Sequence, residues 1–199
     1  GVDCLAGHVV TAAGGRAGVA SVEVAPRAGG RPRRIDCEFV FVSGGWSPSI
    51  HPGLQQGGGR RYDSAQSAFV AEPSAGRWIV GNAAATWSIA GVAAEGHACG
   101  AAVAGSLGFG AAAGEPPRAD GDPEPGLEAC WRVPCEPRDE HRQFVDPQND
   151  VTVADLRAAL AEGFIDVEHV KRYTALGFGT DQGRLGGTLG AAILAELRG

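Results

Sequence analysis

Methionine is absent from the sequence, and tyrosine nearly so, with two copies among 199 residues. A chain without methionine has no initiator of its own, and it opens on what reads as folded sequence. The expectation is an excerpt of a longer protein, with both neighbours removed. Long apolar runs are also absent. None approaches the roughly 20 residues that a membrane span needs, and the Ala-rich stretch around Cys99 is interrupted by Gly and His. A basic surplus is missing: 17 Lys and Arg face 23 Asp and Glu, a net charge of −6, which argues against a nucleic-acid surface. Paired cysteine spacing is missing as well. Cys4, Cys37, Cys99, Cys130 and Cys135 include one close pair, in a proline-rich stretch, so free thiols are expected over a zinc site or a disulfide. With no secretory or transit segment recognised at the start, cytoplasmic residence fits.

The chain is long enough for one or two domains with a real core. Gly7 to Ala12 (GHVVTA) reads as a short strand, and Val19 to Ala25 (VASVEVA) alternates apolar and polar residues as a half-buried strand does. Turns at 14–16 and 27–34 make these an antiparallel meander. Ile35 to Val42 (IDCEFVFV) ends in four apolar residues, the pattern of a strand buried on both faces of a parallel sheet. It runs into Ser43-Gly44-Gly45-Trp46. Glycines at the carboxyl end of a buried strand sit where open α/β sheets bind ligands; an ordinary tight turn has the same composition. Residues 51–73 read as loop with a short hairpin around Tyr62-Asp63 and Phe69-Val70. Arg77 to Val80 reads as a short strand, followed by Gly81-Asn82-Ala83-Ala84 and a long Ala-rich helix through roughly Ala104. The N-terminus of that helix would offer unpaired N–H groups and the positive dipole end to a pyrophosphate, or it packs on a sheet by small-residue contact alone.

Gly114 to His141 carries half of the chain's prolines and many charges, so residues 114–141 are expected as a linker between a domain at 1–113 and one at 142–199. The last stretch reads as three helices. Thr152 and Asp155 form a capping box, and Val153, Leu156, Ala159 and Leu160 share one face. Gly163 ends that helix. Asp166 caps a second helix with Val167 and Val170 inward. Thr188 caps a third with Leu189, Ile193, Leu194 and Leu197 inward.

No catalytic residue is expected within the chain. His8, His51, His97 and His141 have no ligand spacing, and His169 and Glu168, one apart on a helix, do not face each other. Ser43 and Ser47 lie outside any Gly-x-Ser-x-Gly elbow. The chemistry-bearing stretch is His169 to Arg184, HVKRYTALGFGTDQGR: a basic helix end followed by a loop with Gly177, Gly179 and Gly183. Dense donors on a glycine loop suit an anion or a partner surface, and a capped surface helix with a solvated turn has the same look.

That stretch, with the upstream FVDPQNDVT (Phe144 to Thr152), resembles the alpha subunit of heterotetrameric sarcosine oxidase, and VSGGWSP and IVGNAAATWSIAGVAAEG extend the resemblance over nearly the whole chain. The resemblance implies an α/β fold: an FAD/NAD(P)-binding Rossmann-like fragment with the β-meander, then a small all-α domain related to bacterioferritin-associated ferredoxin (BFD-like). Relatives that hold an iron–sulfur cluster carry Cys-x-Cys before the Val-Thr and Cys-x4-Cys in the glycine loop. Asp146 and Gln148, then Asp181 and Gly186, stand at those positions, so all four thiolates are missing and no iron–sulfur cluster is implied. The resemblance also implies NAD bound by Gly44, Gly45, Trp46, Gly81, Asn82, Ala83 and Ala84, its G-x-G-x-x-G lying before Gly1. Asn82 replaces an acidic residue that contacts a ribose or ribitol in related oxidoreductases. FMN is implied at the interface with a beta subunit, FAD within that beta subunit, and gamma and delta subunits alongside. Tetrahydrofolate belongs to a later domain. Lys171, Arg172, Thr174, Thr180, Gln182 and Arg184 are the candidates for the FMN-facing wall. Pro147, and Arg184-Leu185-Gly186-Gly187 in place of Lys-Thr-Ser-Asn, depart from the family pattern. The implied activity is oxidative demethylation of sarcosine to glycine. A subunit of an amino-acid, opine or amine dehydrogenase, or a non-catalytic nucleotide-binding scaffold, is the alternative.

Overall fold

The computed structural model describes residues 1–55, 57–110, 114–119 and 128–199. Residues 111–113 of the expected first domain and 120–127 of the expected linker lie outside the described residues. The chain divides into two compact units: Gly1–Ser43 with Cys130–Gly199, and Gly44–Ala129.

In the first unit, β1 (His8–Gly14), β2 (Ser21–Pro26) and β3 (Arg33–Asp36) form an antiparallel sheet in that order. The meander read from the alternation of Val19 to Ala25 is present, with a bulge between Val10 and Ala12. The apolar strand expected to reach Val42 is not. β3 ends where its partner ends, at the pair Ser21 and Asp36, with one further bond from Cys37 N–H to the Ala20 carbonyl. Beyond it no described strand pairs with Phe39–Val42, which is exposed and irregular.

The helices of this unit follow the short strands β6 (Phe144–Asp146) and β7 (Val151–Thr152): α3 (Val153–Ala161), α4 (Val167–Thr174) and α5 (Gly186–Arg198). At the start of α3 the Asp155 carboxylate accepts from both the Thr152 N–H, at 2.8 Å, and the Thr152 hydroxyl, at 2.7 Å. At its end Gly163 has φ +91°, Gly163 N–H reaches the Leu160 carbonyl and Phe164 N–H the Ala159 carbonyl, which is the paired-bond geometry of a Schellman end. The Asp166 carboxylate caps α4 through Glu168 N–H. α5 corrects the expected cap at Thr188. It begins at Gly186, because the Asp181 carboxylate already takes the Gly183 and Leu185 N–H groups ahead of the helix. Val145, Val151, Val153, Leu156, Ala159, Val170, Leu176, Ile193 and Leu194 form one buried core, with Trp131, Leu160, Phe164, Val167, Leu189 and Leu197 packed against it.

From Cys130 onward the charged stretch is tied to these helices. Glu140 is 2% exposed and receives two 2.6 Å hydrogen bonds from the Arg157 guanidinium, with Arg132 at 3.5 Å. Arg132 also pairs with Glu196 of α5 at 3.2 Å. The Gln143 side chain closes onto the Val133 backbone at both ends, at 2.9 and 2.7 Å.

The second unit holds a short helix α1 (His51–Leu54), the hairpin β4 (Arg60–Asp63) and β5 (Ala68–Ala71), a 3-10 turn at Gly81–Ala84, and the long helix α2 (Ile89–Ser106). The hairpin fits the reading of residues 51–73. The strand expected at Arg77–Val80 does not form; one isolated bridge, Ser74 with Arg77, is all the pairing described there. The helix expected after Gly81-Asn82-Ala83-Ala84 starts at Ile89 instead. Ala85 takes a left-handed conformation, φ +68°, and breaks the chain direction, and Ser88 then caps α2 through Gly91 N–H.

Candidate functional site

The candidate site in the helical unit is built where two loops meet. Asp146, at the end of β6, is 3% exposed. One carboxylate oxygen accepts the Gly177 N–H at 2.8 Å and the Asn149 amide at 3.1 Å, and the other accepts the Gln148 N–H at 3.0 Å. Burial pushes its pKa up, but these donors outweigh burial, led by the Gly177 N–H, and hold the group below its ordinary value. Two residues on, the Gln148 side-chain oxygen accepts the Thr180 N–H at 2.7 Å and the Thr180 hydroxyl at 2.8 Å. Two side-chain oxygens from one loop therefore satisfy the backbone of another loop some thirty residues away. Close approach does the rest. A Cβ at Gly179 would lie 2.5 Å from the Gln148 oxygen, and one at Gly177 would lie 3.1 Å from the Gly183 Cα. Gly177 and Gly183 both have positive φ.

Asp146, Gln148, Asp181 and Gly186, the positions at which the resemblance would put cluster thiolates, lie on these two loops and at the first residue of α5. An iron–sulfur cluster does not fit this donor set. None of the four is a soft ligand. Asp146 and Gln148 have committed their oxygens to N–H groups, and Asp181 to those of Gly183 and Leu185. A side chain at Gly186 would meet the Asp146 Cβ at 3.0 Å and the Val145 carbonyl at 3.1 Å. Among the described residues, no group of three or more His, Cys, Asp or Glu is placed to hold a metal.

Around this junction the expected FMN-wall residues divide. Thr174 spends its hydroxyl on the end of α4, donating to the Val170 carbonyl at 2.8 Å and accepting the Leu176 N–H at 3.2 Å. Thr180 is spent on Gln148. Lys171 is half-buried, reaches Glu168 at 3.3 Å, and lays its stem near Gly177. Gln182 is exposed, in a left-handed conformation at φ +55°, and touches the Gly179 carbonyl at 3.3 Å. Arg172 and Arg184 are exposed cations, with Tyr173, Phe178 and Leu185 as exposed apolar neighbours in sequence. Lys171 and Arg172 sit in the last turn of α4, where a positive charge suits the helix dipole.

The expected NAD residues all lie in the second unit. Gly44 and Gly45 are open, with nothing within 4 Å of a built Cβ, and Trp46 is 77% exposed. Gly81 is buried with φ +65°; a Cβ there would lie 3.2 Å from Val92. Its N–H donates to a Glu95 carboxylate oxygen at 2.8 Å, and the other oxygen of that carboxylate accepts from the Thr86 hydroxyl. A phosphate placed at Gly81 would meet a carboxylate that already holds this N–H. Asn82 is exposed, and Ala83 and Ala84 are half-buried. The Gly81 N–H of this turn is therefore already taken, while the Asn82 side chain is open to solvent. A cavity of about 250 Å³ lies beside it, lined by Arg61, Asp63, Arg77, Trp78, Ile79 and Ala84 among others.

Sequence reasoning missed the Arg157–Glu140–Arg132 network. Glu140 was hidden in a run of charges whose composition reads as solvated; the one signal was Trp131 and Val133 interrupting that run.

Residues 140–199 match the family model described as the sarcosine oxidase A3 domain. The chain is 34% identical over 175 residues to the sarcosine oxidase subunit alpha of Corynebacterium sp. (strain U-96), and 34% identical over 192 residues to that of Rhizobium meliloti (strain 1021). These alignments cover 85% and 94% of this chain, which spans 18% of the length of either relative. The structure is similar to that of L-proline dehydrogenase from P. horikoshii, with a TM-score of 0.61 and 21% identity, over 94% of this chain and 38% of that one; the likeness speaks for a common fold. Over most of its length the chain is similar to sarcosine oxidase alpha subunits, and its residues 140–199 match the sarcosine oxidase A3 domain.

Proposed function

We propose that this chain is part of the alpha subunit of a flavin-dependent sarcosine oxidase, an oxidoreductase of CH–NH donors. In this reading the chain is a binding and docking module and carries no catalytic residue. Residues 1–113 belong to a Rossmann-like nucleotide domain that holds NAD, 114–141 connect, and 142–199 are a BFD-like helical domain that faces FMN and the beta subunit. FAD in the beta subunit would take the electrons from the N-methyl amine, FMN would pass them to oxygen, and a folate domain elsewhere in alpha would capture the one-carbon unit. The complex would contain beta, gamma and delta subunits and reside in the cytoplasm. No described helix is long and apolar enough to cross a membrane.

One observation carries the reading: the junction in which Asp146 and Gln148 bind the Gly177–Thr180 loop, inside the stretch that matches the A3 domain. That junction fixes the loop whose cations, Arg172 before it and Arg184 after it, remain exposed. A guanidinium fork facing a flavin phosphate is a charge-assisted contact, and Lys171 adds a third positive group. Gly44, Gly45, Trp46 and Gly81 to Ala84 remain the residues proposed for NAD, with Asn82 as the hydroxyl contact. The test is to purify the whole complex, denature it and assay the released nucleotide. Near-stoichiometric NAD is expected; its absence contradicts the assignment.

A further inference from the structure

We infer that Glu95, on α2, is a positioning residue for the nucleotide turn: its carboxylate closes Gly81–Thr86 into one fixed shape and so aims the Asn82 side chain at its ligand. The inference rests on the nucleotide reading proposed above and names the group that sets that site. Within the turn, the Gly81 carbonyl accepts the Thr86 N–H at 3.1 Å and the Asn82 carbonyl accepts the Ala85 N–H at 3.2 Å. The remaining closure comes from one side chain. One Glu95 oxygen accepts the Gly81 N–H at 2.8 Å, and the other accepts the Thr86 hydroxyl. A single carboxylate therefore ties the first residue of the turn to the last, and it does so from a separate element, the helix that follows.

The turn needs that tie. Ala85 is 1% exposed and left-handed, at φ +68°, a conformation that disfavours any residue with a Cβ. Such strain persists only where the surroundings over-determine it. Glu95 supplies that constraint by polar contact, and Val92 supplies it by packing, since a Cβ at Gly81 would stand 3.2 Å from it. Asn82 follows Gly81 directly. It is exposed, and its amide side chain has no partner among the described residues. A free polar side chain on a backbone held at both ends loses little freedom when a ligand arrives, which is how preorganisation favours binding. The same turn presents Ala84 to the neighbouring cavity. Both Glu95 oxygens are engaged within the protein, so the residue acts through Asn82 rather than on the ligand. A brace that merely pinned α2 to the turn would matter equally with or without the Asn82 amide, and the test uses that difference.

The measurement is the half-time of NAD loss during dialysis of the purified complex, for the native protein, Glu95→Ala, Glu95→Gln, Asn82→Ala and the double variant Glu95→Ala with Asn82→Ala. Glu95→Ala is expected to shorten the half-time on the order of tenfold. Glu95→Gln keeps an acceptor for Gly81 and a donor for the Thr86 oxygen, so it should stay within about twofold of native. Asn82→Ala should shorten the half-time too, and adding Glu95→Ala to it should change it by less than about twofold, the non-additivity of residues that act as one. A native half-time in Glu95→Ala overturns the inference, as does a Glu95→Gln loss equal to that of Glu95→Ala, or additive effects in the double variant. Should Glu95→Ala fail to assemble, Thr86→Val, which removes one of the two contacts, decides: a shortened half-time supports the inference and a native one overturns it. A native complex that releases no NAD overturns the nucleotide reading itself and this inference with it, whereas NAD held alike by native and Glu95→Ala proteins overturns the inference alone.

Discussion

At the scale of single residues, two carboxylates do unlike work. Asp146 was legible in the sequence as one of the positions that the resemblance singled out, and its partners were not, because the Gly177 N–H lies 31 residues away. Asp146→Ala would leave the Gly177 and Gln148 N–H groups without their acceptor. A loss of about 2–3 kcal/mol in urea unfolding is expected, with Asp146→Asn recovering part of it. A loss below about 0.5 kcal/mol would show that water replaces the carboxylate there. Glu140 stabilises by charge. The Arg157 hydrogen bonds, against burial and helped by the positive charge of Arg157 and Arg132, hold its pKa below the ordinary 4.5. A carboxylate depressed in the folded state contributes fully above about pH 4.5, and that contribution fades as pH falls through the folded value. Glu140→Gln is therefore expected to cost about 1–3 kcal/mol at pH 7, less than a fully buried pair because the Arg157 side chain is half exposed. The gap between the two proteins should shrink at pH 3. Urea midpoints at the two pH values read both effects, and a gap independent of pH would contradict the charge argument. Sequence alone passed over Glu140 because pairing with a residue 17 positions on leaves no trace in composition.

Among elements, the legible ones were those whose signals are local. The Thr152–Asp155 box, the Gly163 stop and the Asp166 cap are each settled within six residues, and each stands where the sequence put it. α5 was misplaced at its start because Asp181, in the loop before it, takes the Gly183 and Leu185 N–H groups, and the helix is already under way from Gly186, two residues before Thr188. Phe39–Val42 and Arg77–Val80 have strand composition and no described strand beside them, and composition cannot supply a partner. The close fit of α5 has a consequence of its own. A Cβ at Gly190 would come within 2.5 Å of Leu176 Cδ2, and Leu176 is 1% exposed, so the core has little room to yield. Gly190→Ala should cost about 1–3 kcal/mol by overpacking. Gly187→Ala, with nothing within 4 Å of its Cβ, should be neutral or gain up to about 0.5 kcal/mol from helix propensity. Thermal unfolding of the two variants separates them; equal effects would mean that Leu176 moves aside.

For the whole molecule, the sequence carried the meander and the helical core, and the division into units that the structure draws runs differently through the chain. Cys130–Gly199 joins Gly1–Ser43, whereas the reading from composition placed a linker through residue 141. The difference arises in the ion pairs and the Trp131 contact that tie the charged stretch to the helices. The proposed role rests on one part of this molecule, the loop held by Asp146 and Gln148 and flanked by Lys171, Arg172 and Arg184. Flavin content of the purified complex carrying Lys171→Ala with Arg172→Ala tests it most directly. Both side chains lie outside the buried core, so assembly of the helices should persist while FMN per complex falls severalfold or the alpha–beta contact weakens. Unchanged flavin content with unchanged oligomer size would contradict the account.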